Sequence, residues 1–120
     1  MIDFEKGYSL EEYFAKGYEE ERERQRRACE RAVYSEAFEE AVKKVKEPVR
    51  LAAFAEIYCP DTVVVMPFVK RVADLNPLVR LAVFERDPYM KEMETLTGTA
   101  RIPTLLFFGG EMNLMAKYVE

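Results

Sequence analysis

Cys59 is followed by Pro60, Asp61 and Thr62, and this short run is where the sequence offers chemistry. An almost continuously apolar stretch, Val49 to Tyr58, leads into it, and a second apolar stretch, Val63 to Leu75, leads out. The first reads as a buried strand and the second as a helix. A cysteine at such a junction faces unpaired backbone amides and the positive end of the helix dipole, and both favour the thiolate. Pro60 suits the first helical position, where its missing N–H costs nothing. Thr62 can offer a hydroxyl hydrogen bond to the sulfur. Asp61 works the other way, because a neighbouring negative charge disfavours a thiolate. The pattern predicts a lowered thiol pKa at Cys59. An inert cysteine closing a strand is the alternative, and the helix-start position speaks against it.

The rest of the composition narrows the chemistry. The chain has no histidine, which excludes imidazole bases, Cys-His pairs and histidine metal sites. Two cysteines, Cys29 and Cys59, cannot build a zinc site unaided. Lys and Arg number 18 against 22 Asp and Glu, a net charge of -4, so nothing favours a nucleic-acid partner. No apolar run approaches the ~20 residues of a membrane span. Met1 to Glu5 lacks the basic start and apolar stretch of a signal peptide. The expected location is the cytoplasm, with both thiols reduced.

The elements that must position Cys59 can be read around it. Residues 1–48 are charged and helical. Ser9-Leu10-Glu11-Glu12 has the form of a capping box, and Leu10, Tyr13, Phe14 and Tyr18 follow at helical spacing. Between Glu19 and Arg27 the pairs Glu20/Arg24 and Glu23/Arg27 stand four apart, which reads as a solvated helix face. Ser35 caps a further helix, and Glu47-Pro48 ends the region. After the Cys59 helix, Asn76-Pro77 marks a stop and Leu78 to Phe84 a second strand. Asp87-Pro88 opens another helix, Thr104 to Phe108 is a third strand, and Gly109-Gly110 turns into a final strand, Met112 to Val119. The order in residues 49–120 is β-α-β-α-β-β, preceded by a helical extension, all in one domain. Strands alternating with helices imply parallel crossovers.

Three features together resemble the thioredoxin superfamily, and within it the bacterial proteins with a Cys-Pro-Asp-Cys site. A buried strand, Leu51 to Ile57, runs into Cys59. Pro67 lies inside the following helix, where thioredoxins carry a proline. Arg101-Ile102-Pro103-Thr104 is similar to the family's cis-proline segment, which enters the third strand opposite the active cysteine. The resemblance implies a thioredoxin-like fold with a central mixed sheet. It implies a catalytic role for Cys59 and Thr62, and substrate binding by Pro60, Asp61, Arg101, Ile102 and Pro103. Arg101 would offset Asp61 and could bind a substrate carboxylate. Family members usually close with a helix after the last hairpin, which this sequence lacks. The amino-terminal helices, or failing them a second subunit, are expected to cover that face.

One departure is functional. Thr62 stands where the family has its second cysteine, the residue that resolves a mixed disulfide. The expected activity is therefore mixed-disulfide chemistry by a lone thiol, on a protein or a low-molecular-weight thiol or disulfide. No cofactor is implied beyond possible use of glutathione, and the protein is expected as a monomer or homodimer. The rival reading is a binding module that keeps the groove and has lost the redox cycle. Cys29 reads as a packing residue rather than a replacement partner. Glu56 reads equally as a buried proton relay and as a strand-end residue reaching water.

Overall fold

The structure, a computed structural model, describes residues 2–120. Its sheet is built from short apolar runs. β1 (Val49–Phe54) is buried at every position except Arg50, as a strand covered on both faces must be. It pairs in parallel with β2 (Val79–Phe84), from Val49↔Val79 to Phe54↔Phe84. On its other side it pairs antiparallel with β3 (Thr104–Phe108), and β3 pairs antiparallel with β4 (Leu114–Val119). The strand order is β2-β1-β3-β4, a mixed four-stranded sheet.

The direction of β3 corrects the expectation of successive parallel crossovers. Phe54 is in register with both Phe84 and Thr104, so β3 begins at the end of the sheet where β2 stops. Between them lie a 3₁₀ turn (Asp87–Tyr89) and an eight-residue helix, Met90–Thr97. Eight residues rise only ~12 Å, against ~20 Å for a six-residue strand, too short to carry the chain back to the starting end.

Alternate residues of β1 feed two apolar layers. Val49, Leu51 and Ala53 join Tyr13, Met66, Val69 and Val83 on one face. Ala52 and Phe54 join Ile2, Phe84, Met93, Ile102 and Leu106 on the other. The amino-terminal region forms three helices, α1 (Leu10–Phe14), α2 (Glu19–Arg31) and α3 (Glu36–Lys43). Ser9 and Glu12 form the capping box, and Ser35 Oγ accepts from the Phe38 amide. α2 and α3 pack chiefly on α4 (Pro60–Leu75), and α1 on β2. They do not cover the face at β4, contrary to expectation. Residues 114–118 of that strand are exposed and Val119 is partly covered. No described helix is long and apolar enough to cross a membrane.

Candidate functional site

Cys59 is the N-cap of α4, with extended backbone (φ -82°, ψ 122°) and Pro60 at the first helical position. Its own amide donates to the Glu56 carbonyl at 3.0 Å, closing the turn that ends the approach from β1. The Val63 amide donates back to the Cys59 carbonyl at 3.1 Å, the first bond of the helix. The thiol is half-buried, and its sulfur lies 4.0 Å from the Ile102 carbonyl oxygen. The Ile102–Pro103 peptide bond is cis. Cys59, Pro60, Asp61, Arg101 and Ile102 line one open groove together with Tyr58, Arg86 and Glu120. Pro103 is buried beside Ile102 and does not line the groove.

Thr62 departs from its expected role. It has no exposed surface, and its hydroxyl is buried without a hydrogen-bond partner. The bond from this hydroxyl to the Cys59 sulfur is not formed, because Thr62 faces the interior while Cys59 faces the groove. Arg101 is exposed and reaches toward the Glu120 carbonyl, with Nη1 3.5 Å from the oxygen. It forms no ion pair with Asp61 among the described residues, so the expected offset of that carboxylate is not made by direct contact.

Cys29 is not brought to Cys59. It sits on α2, where its sulfur is 3.8 Å from Gln25 Nε2, and both cysteines are free. Burial pushes the Cys29 thiol above its ordinary pKa, opposed by the Gln25 contact and by the Lys70 charge. Glu56 is half-buried and its Oε2 accepts from the Arg86 amide at 3.1 Å. Burial raises its carboxyl above the usual range, and the Arg86 hydrogen bond opposes that shift. Tyr13 is buried, with a hydroxyl that has no hydrogen-bond partner. Its pKa is raised, first by burial and then by the nearby charges of Glu56 and Cys59.

Two residues of the charged run reach the site unannounced. Arg24 Nη2 donates to the Tyr58 carbonyl at 3.2 Å, immediately before Cys59, rather than pairing with Glu20. Gln25, 2% exposed, donates through Nε2 to the Val63 carbonyl at 3.1 Å. Its neighbours are charged and give no apolar signal for burial. Glu23/Arg27 does form the expected helical pair, at 3.3 Å.

A family model described as thioredoxin matches residues 7–120. None of the curated proteins searched matches this chain. Among solved structures, a protein of unknown function from Pseudomonas aeruginosa superposes with a TM-score of 0.88 at 20% identity, over 97% of this chain and 73% of that one. An HIV epitope scaffold gives 0.86 at 21%, with the same coverage. An amino-terminal domain of the alkylhydroperoxide reductase AhpF from Enterococcus faecalis gives 0.55 at 17%, over 68% of this chain and 41% of that one.

Proposed function

The chain belongs to the thioredoxin family, and on that footing we propose that it carries out mixed-disulfide chemistry through Cys59 alone. The observation that carries the reading is the partly buried Cys59 at the start of α4, lining an open groove with its sulfur 4.0 Å from the Ile102 carbonyl oxygen. Deprotonated, Cys59 attacks one sulfur of a substrate disulfide. One S–S bond forms to the protein, the substrate's S–S bond breaks, and its other sulfur leaves as a thiolate.

Release of the substrate then needs an external thiol, because Thr62 occupies the position of a resolving cysteine and has no sulfur to offer. A low-molecular-weight thiol such as glutathione fits that role, and no resident cofactor is called for. Pro60 and Asp61 shape one wall of the groove. The backbone around Ile102-Pro103 pairs an extended substrate in this reading. Arg101, exposed at the groove, suits a substrate carboxylate. The helices before residue 48 act as an extension holding the core, and a reducing cytoplasm is the compartment this cycle fits.

The test compares the parent with Cys59→Ser in glutathione-exchange and insulin-reduction assays. The reading expects exchange and slow insulin reduction from the parent, and neither from the variant. A parent inactive in both assays would favour the non-catalytic binding module instead.

A further inference from the structure

Adjacent residues of α2 touch the two sides of the reactive turn, and one contact has a specific cause. In a helix the Val63 carbonyl takes its hydrogen bond from the N–H four residues on. That residue is Pro67, which has none. Both Val63 and Pro67 are buried, and a buried carbonyl left without a donor is costly. Gln25 supplies the donor from a different helix, its Nε2 3.1 Å from the Val63 oxygen in a buried contact. The carbonyl accepts only, so the amide must turn its nitrogen toward it. Arg24, the preceding residue, holds the Tyr58 carbonyl on the other side of Cys59.

We propose that Gln25 is a positioning residue for Cys59, assisted by Arg24: it completes the hydrogen bonding that Pro67 leaves open in α4 and thereby fixes the turn that holds the sulfur. This rests on the reading of Cys59 as a reactive thiol. The amides of the first turn of α4 favour the thiolate only while that turn keeps its place. Docking of α2 is thus a condition of the site's geometry.

The experiment is a double-variant cycle. Alkylation of Cys59 by iodoacetamide is followed by peptide mass mapping across pH in the parent, Gln25→Met, Pro67→Ala and the double variant. Urea midpoints are recorded alongside. Pro67→Ala returns an N–H to the helix and satisfies Val63 from within. Gln25→Met is expected to slow alkylation at neutral pH by about threefold or more and to move the profile to higher pH. In the Pro67→Ala background the same substitution should do less than about half of this. Equal effects in both backgrounds, or an unmoved profile for Gln25→Met, would overturn the proposal. If Gln25→Met does not fold, a folded double variant supports the coupling, and a double variant as unfolded as the single one overturns it. A parent whose Cys59 alkylates no faster than Cys29 contradicts the reactive-thiol reading itself, a failure visible before any variant is compared.

Discussion

Cys59 and Thr62 stand one helical turn apart at the start of α4 and face opposite environments, the sulfur toward an open groove and the hydroxyl into the core with no exposed surface. A thiol placed at residue 62 would lie beneath the first one, within the protein and close to it along the helix. Thr62→Cys is therefore expected to create a dithiol that resolves its own mixed disulfides. Insulin reduction should rise by about tenfold or more over the parent, because the slow external step is replaced by an internal one. The oxidised variant should lose both free thiols at residues 59 and 62 in a thiol count. Retention of both after oxidation would show that the turn cannot close a disulfide.

Glu56 gives the pH dependence a sign. Its carboxyl is raised in the folded state, chiefly by burial, so the native protein holds this proton to higher pH than the unfolded chain. Stability linked to Glu56 is then full below the unfolded pKa and falls as pH rises through the folded value. Glu56→Gln removes that dependence. The parent's urea midpoint should decline relative to the variant's as pH climbs from the ordinary carboxylate range upward. A difference that grows in the opposite direction would contradict the burial account.

Gly7 lies against β2. A Cβ built there would meet the Ala82 Cβ at 2.7 Å and the Phe84 ring at 2.9 Å, both in the packed face of the sheet. Next to it, Tyr8 bridges Val83 through two backbone bonds of 2.7 and 2.8 Å. Gly7→Ala should cost about 1–3 kcal/mol, the usual penalty of overpacking. Faster amide exchange at Tyr8 and Val83 would locate the loss, and an unchanged urea midpoint would show that the neighbours yield freely.

Parts of this arrangement were legible in the residues because local rules governed them. The apolar run before Cys59, the Ser9 and Ser35 caps, and the hairpin of β3 and β4 each follow from a pattern a few residues long. The direction of β3 was hidden because it depends on how far the Met90–Thr97 helix can reach, which no periodicity reports. Arg24 and Gln25 were hidden for a different reason. Their partners, the Tyr58 and Val63 carbonyls, lie more than thirty residues away and are backbone groups, invisible to residue-type reasoning. A signal did exist at Pro67: a proline inside a buried helix implies a carbonyl four residues earlier in need of a donor. The unpartnered Thr62 hydroxyl likewise turns on which way one side chain faces.

Reaction with a small disulfide tests the central claim most directly. The protein is incubated with excess hydroxyethyl disulfide near neutral pH, and the mixed disulfide is located by peptide mass mapping under non-reducing conditions. Cys59 should be modified at least about tenfold faster than Cys29, whose thiol is half-buried and pushed up by that burial. Modification of Cys29 first, or of neither cysteine, would contradict the assignment of Cys59 as the reactive thiol.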